Sequence, residues 1–239
     1  MNITTLFGFI QPANYIPMGG WTIGNEMVFY LFTPAILFIY DKKTIYGNLL
    51  LMITCIIGLY FAFFLLNPND SLANQWSIYV NPFNNLFCFI LGIAIFYNFN
   101  KIKINKIMNL SLLLISFILF LFYDYKNQID IVSGWNRIIF VFIITVWIFS
   151  FFKMKVEKTS MVSKMFETFG MATYGVYILH PIFRSILLKA NELLKLNFPY
   201  IAVCIVAVFI TILGATISYY YFELKISNWG KKIVKGIIK

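Results

Sequence analysis

Long apolar runs separated by short polar breaks fill most of this 239-residue chain. Seven runs approach or exceed the roughly 20 helical residues needed to cross a bilayer. They cover 21–40, 45–66, 81–99, 107–123, 136–152, 168–189 and 198–222, the fourth and fifth being only 17 residues each. None shows the apolar-polar alternation that a barrel wall with a wet lumen requires. The pattern therefore predicts an all-α fold, a polytopic integral membrane helical bundle of about seven transmembrane helices in a single domain.

Composition narrows the picture. Hydrophobic residues make up 61% of the chain, aromatic residues 20% and charged residues 12%, with a mean hydropathy of +0.81. A soluble domain of this size has too little interior to hide that much apolar surface, and disorder is excluded by the same figures. Cys55, Cys88 and Cys204 each sit inside an apolar run, so they read as small packing residues and not as a disulfide framework.

The net charge of +10 is a statement about topology. Fourteen of the 19 Lys and Arg fall in the 41–44, 100–106 and 153–167 loops and the C-terminal tail. The opposite side has Lys126, Arg137, Arg184, Lys189 and Lys195. The positive-inside rule then puts the tail in the cytoplasm and the N-terminal segment outside, with anionic lipid attracted to the inner face. Membrane lipid is the expected partner, and nucleic acid is not. Residues 1–20 carry no Lys or Arg, so they lack the basic start of a signal peptide.

Ionisable residues within membrane spans are costly and so are functional candidates. Glu26 stands near the start of the first span, where Thr22 or Asn25 could cap the helix and Glu26 could simply complement its dipole. His180, the only histidine, precedes Pro181, which cannot donate to the carbonyl of Tyr177 and so leaves an acceptor and a kink there. Thr173, Tyr177, His180 and Arg184 follow at spacings of four, three and four, hence on one helix face. The stripe reads either as a substrate-facing surface or as a structural polar cluster. Asn81, Asn84 and Asn85 open the third span and could cap it, Pro34 is a kink candidate, and Glu223 lies beside Lys225 at the inner end of the last span. No phosphate loop, nucleophile elbow or metal-ligand cluster is visible.

Four motifs carry a family resemblance. Trp21-x4-Glu26-x2-Phe29-Tyr30-x3-Pro34 resembles the signature of the acyltransferase 3 family of membrane O-acyltransferases, and Phe89-Ile90-Leu91-Gly92 is similar to a later span of that family. Gly170 to His180 resembles its G-x-x-S-Y-x-x-Y-L-x-H motif, and Ser218 to Lys225 its closing S-Y-x-x-x-E-x-P segment. The resemblance implies transfer of an acyl group, commonly acetyl from acetyl-CoA or another acyl-CoA used as donor substrate, with no tightly bound cofactor. The acceptor would be a hydroxyl on a carbohydrate or another cell-envelope molecule, and the location a bacterial inner membrane.

The resemblance matches Glu26 to its tryptophan motif and His180 to a late histidine distinct from the family's usual catalytic one, and both are catalytic candidates here. Tyr177, Arg184 and Trp21 are candidates for substrate binding, and Glu223 and Asn85 for structural polar roles. The family's usual catalytic histidine lies in a first helix ahead of the tryptophan motif, in a domain of roughly ten spans of about 20 residues each. This sequence offers only 20 uncharged residues there. The expectation is a chain lacking its first helices: an inactive relic, half of a split enzyme, or a protein completed by another chain. A longer parent product would instead have ordinary activity. Met27, Lys225 and the neutral Asn85 depart from the family pattern.

We expect His180 and Glu26 to line one polar cavity, and the basic inner loops to attract an anionic CoA. The alternative is a non-enzymatic polytopic protein, such as an envelope-polysaccharide transporter component. It predicts paired broken helices and an internal repeat, and neither is visible.

Overall fold

The computed structural model describes residues 5–16, 18–154 and 160–237, and all regular structure in them is helical. In chain order the helices are α1 (Phe7–Ile10), α2 (Gly20–Lys42), α3 (Thr44–Tyr60), α4 (Trp76–Tyr79), α5 (Pro82–Phe99) and α6 (Lys106–Phe122). They continue with α7 (Gln128–Val132), α8 (Gly134–Lys153), α9 (Met161–Leu193), α10 (Tyr200–Ser218) and α11 (Leu224–Ile237). Wider π-helical turns extend α3 over Phe61–Leu65 and join α10 to α11 over Tyr219–Glu223.

Among the described residues, six helical segments are long and apolar enough to cross a membrane. The predicted fourth span is α6, a shorter apolar helix of 17 residues. At 1.5 Å per residue it reaches about 26 Å, against a hydrocarbon core of about 30 Å. Two boundaries moved. Lys164, assigned above to a loop, lies inside α9, and the basic tail is the helix α11. Lys155, Lys158 and Lys239, also used in the charge count, lie outside the described residues.

Local sequence explains the helix starts. Asn81 caps α5 by accepting from the Phe83 N–H at 3.0 Å, with Pro82 at the first helical position where no N–H is missed. Asn105 accepts from the Ile107 N–H at 3.1 Å to start α6, and Ser160 from the Ser163 N–H at 3.0 Å to start α9. The expected kinks at Pro34 and Pro181 do not interrupt helix assignment: α2 and α9 run continuously through them.

The helices form two units: α1–α8 in the first, and α9–α11 with residues 18 and 19 in the second. In the first, Ile36 and Tyr40 of α2 pack on Ile90 and Ala94 of α5, with Tyr40 stacked on Tyr97 at 4.8 Å. Polar contacts gather helix ends of this unit together. Tyr97 donates to Asp41 at 2.5 Å, Asn48 and Asn98 exchange hydrogen bonds of 3.0 and 2.9 Å, and the Lys153 ammonium donates to the Phe99 carbonyl.

The second unit is zipped by small residues. Val203, Ala207, Thr211 and Ala215 recur every four residues along α10 and are all buried. A Cβ on Gly175 of α9 would stand 3.2 Å from that of Ala215. Close backbone approach between small residues is how membrane helices gain packing energy, since lipid tails compete for ordinary apolar contact. Large side chains such as Phe64, Phe122, Ile201 and Phe209 point outward, as a lipid solvent permits.

Candidate active site

His180 is held by its own helix. Its Nδ1 lies 2.7 Å from the Tyr177 carbonyl and 3.3 Å from that of Val176. A carbonyl only accepts, so Nδ1 is the donor in this contact, which in the neutral imidazole leaves the lone pair on Nε2. The Tyr177 carbonyl is available because Pro181 has no N–H to give it. The imidazole is exposed, so the basic nitrogen is open to a reactant.

The neighbours of His180 are fixed by different partners. The Tyr177 ring sits 5.8 Å from the imidazole, and its hydroxyl donates to the Gly19 carbonyl at 3.1 Å. Gly19 has φ of +79°, and a Cβ there would meet the Tyr177 hydroxyl at 2.9 Å, so this corner requires glycine. The Arg184 guanidinium donates to the Tyr200 hydroxyl at 2.6 Å and is otherwise exposed. Thr173 leaves the predicted stripe chemically, because its hydroxyl donates back to the Phe169 carbonyl at 3.0 Å. Glu223 accepts from Ser218 at 3.4 Å and lies near Gly175, against the α9–α10 contact.

In the first unit, Trp21 belongs to an aromatic cluster. Its ring is 5.9 Å from Trp76 and 5.2 Å from Tyr79, and the Trp76 indole N–H donates to the Tyr15 hydroxyl at 2.8 Å. From there a polar chain runs inward. Asn84 donates to the Tyr79 carbonyl at 2.9 Å, and Arg137 donates to the Asn84 side-chain oxygen at 2.5 Å and its carbonyl at 2.7 Å. Arg137 also reaches the Asn85 side-chain oxygen at 3.3 Å and borders an apolar cavity of about 260 Å³.

Glu26 is exposed and accepts from Tyr30, one turn on, at 3.4 Å. Its neighbour Asn25 is 3% exposed, and neither side-chain polar atom has a hydrogen-bond partner. Glu26 lies in the first unit and His180 in the second, and each is described within its own unit.

The model of the acyltransferase 3 family, described as an acyltransferase domain, matches residues 2–229. The chain belongs to the acyltransferase 3 family. No curated protein and no solved structure matches it. With its membrane helices, this family member is a membrane acyltransferase, and membership favours acyl transfer over the transporter reading.

Two capping expectations are corrected. Because α2 begins at Gly20, Thr22 and Asn25 fall inside its first turns and neither is its cap. Asn81 alone of the three asparagines caps α5, while Asn84 and Asn85 serve Arg137. Arg137 is the residue that sequence reasoning missed. The charge pattern alone places it among the outer-side cations, yet it is 7% exposed. The available signal was an arginine at the second position of an apolar run, together with two consecutive asparagines near the start of another.

Proposed function

We propose that this membrane acyltransferase moves an acetyl group from acetyl-CoA to a hydroxyl of a cell-envelope carbohydrate, in a bacterial inner membrane. The observation that carries this reading is the 2.7 Å contact of His180 Nδ1 with the Tyr177 carbonyl. With Nδ1–H tied to the Tyr177 carbonyl, Nε2 is a general base facing away from its own helix.

In the step proposed, Nε2 accepts the proton of the acceptor hydroxyl as that oxygen bonds to the thioester carbonyl carbon. The carbon–sulfur bond then breaks, and the imidazolium returns its proton to the departing CoA thiolate. The products are an acetyl ester and free CoA. Tyr177 limits the swing of the imidazole, and Arg184 offers its remaining guanidinium donors to the substrate. Within the first unit, the Trp21 cluster is an amphipathic aromatic surface and a substrate-binding candidate in its own right. We assign Glu26 to the same reaction, and its test is separate.

The lysine asymmetry supports an external N-terminal segment and a cytoplasmic α11. That orientation requires the short α6 to cross, which local thinning of the bilayer permits.

Membranes carrying the chain, supplied with radiolabelled acetyl-CoA and isolated envelope carbohydrate, test the reaction. Label in the carbohydrate together with free CoA thiol is expected, and both should be lost in His180→Gln. Full transfer by His180→Gln would remove the histidine from the reaction. Transfer of longer acyl groups in place of acetyl would replace the donor.

A further inference from the structure

A further cavity, separate from the apolar one beside Arg137, is lined by none of the candidate site residues. It opens between α6 and α8 at the helix ends gathered by Lys153, Tyr97 and Asn98, and has a volume of about 490 Å³. Among the described residues, its lining includes the cations Lys106 and Lys153 and no carboxylate. Lys153 donates to the carbonyls of Phe99 and Asn100, which leaves the third of its three N–H groups. Lys106 is exposed at the first position of α6.

One turn deeper the lining becomes polar and buried. Asn109 donates its amide to the Ser150 carbonyl at 3.0 Å. Its own side-chain oxygen and the Ser150 hydroxyl have no partner, although the two residues are 7% and 0% exposed. Buried polar atoms are normally satisfied, and an amide oxygen is satisfied only by a donor. The walls are apolar, from Leu110 and Leu113. The cavity therefore combines a cationic rim, a buried acceptor with a hydroxyl beside it, and an apolar flank.

We propose that this cavity binds an anionic glycerophospholipid with a hydroxylated headgroup, of the phosphatidylglycerol class. The phosphate sits between Lys106 and Lys153, a headgroup hydroxyl donates to the Asn109 oxygen, and an acyl chain runs along Leu110 and Leu113. Basic pockets between membrane helices recognise lipid phosphates in this way. An ethanolamine headgroup would bring its ammonium against two lysines, and phosphatidic acid lacks the hydroxyl that the Asn109 oxygen needs. The proposal stands independently of the proton-transfer step at His180, because no residue placed in that step lines the cavity.

Retention of lipid by the purified full chain, measured by native mass spectrometry after exchange into phosphatidylglycerol, phosphatidic acid or phosphatidylethanolamine, tests it. Phosphatidylglycerol should be retained best. Lys106→Gln with Lys153→Gln should lower its retention about thirtyfold, as two lysine contacts of about 1 kcal/mol each imply. The pair Lys42→Gln and Lys43→Gln, which removes equal charge from the same end, should leave retention unchanged. Asn109→Leu should abolish the preference over phosphatidic acid. Equal losses in both lysine pairs would reduce the effect to nonspecific charge and overturn the site. Displacement of the lipid by equimolar CoA would assign the rim to a nucleotide phosphate instead, and Asn109→Leu with an intact preference would refute the headgroup contact.

Discussion

The Nδ1 of His180 lies 2.7 Å from the carbonyl of Tyr177, the acceptor that Pro181 cannot serve. A proline that would merely weaken the helix is thus coupled to the orientation of the chain's only histidine. Substituting either residue should therefore affect the other's role.

Pro181→Ala restores a backbone N–H that competes for the Tyr177 carbonyl. Helix stability should rise by up to about 3 kcal/mol, while acetyl transfer falls because the imidazole is no longer held in one tautomer. Thermal melting and transfer assays on the same preparation read the two effects. Unchanged transfer in a more stable protein would refute the coupling.

His180→Gln keeps a hydrogen-bonding side chain but loses the base. Transfer should drop by about 10²–10⁴-fold, the usual contribution of a positioned acid or base, with melting temperature nearly unchanged. Glu26→Gln is assayed in parallel, and a loss without destabilisation would support its assignment.

Tyr177→Phe deletes the donor to Gly19 and should cost about 1 kcal/mol of stability. Gly19→Ala should cost more, about 1–3 kcal/mol, since it strains a left-handed backbone and drives a Cβ onto the tyrosine hydroxyl. The double variant should destabilise by less than the sum of the two, because the deleted hydroxyl is the atom the new Cβ meets.

Arg137 supplies three hydrogen bonds to Asn84 and Asn85. Arg137→Ala should destabilise the chain by about 3 kcal/mol, since buried oxygens lose a charged donor. Arg137→Lys should recover only part, because an ammonium cannot span the same forked geometry. Denaturation in mild detergent ranks the three proteins.

On α11, Ile226, Trp229, Ile233 and Val234 fall on one side at helical spacing, and Lys225, Lys231, Lys232 and Lys235 on the other. Such a helix lies in the membrane interface with its apolar face down. Lys235→Cys should react with a membrane-impermeant maleimide much faster than Ile233→Cys, and only from the cytoplasmic face. Equal rates would argue against interfacial burial, and labelling from outside would invert the topology.

The sequence by itself determined the solvent of this protein. Apolar runs such as 45–66 and 198–222 leave no choice but helices in lipid, because there the backbone must satisfy its own hydrogen bonds. It also determined the family, through Trp21, Glu26 and His180 in order, and it exposed the orphan carbonyl at Tyr177, which depends only on Pro181 four residues on. The partners of side chains on different helices were not legible, because they depend on packing that no local spacing encodes. Only the tertiary structure decided that Asn84 and Asn85 receive Arg137 instead of capping α5, that Tyr177 reaches Gly19, and that Asn109 and Ser150 form a buried polar floor. In a lipid solvent nearly every apolar face is acceptable on the outside. Which faces turn inward was decided by the few small and polar residues that could meet one another.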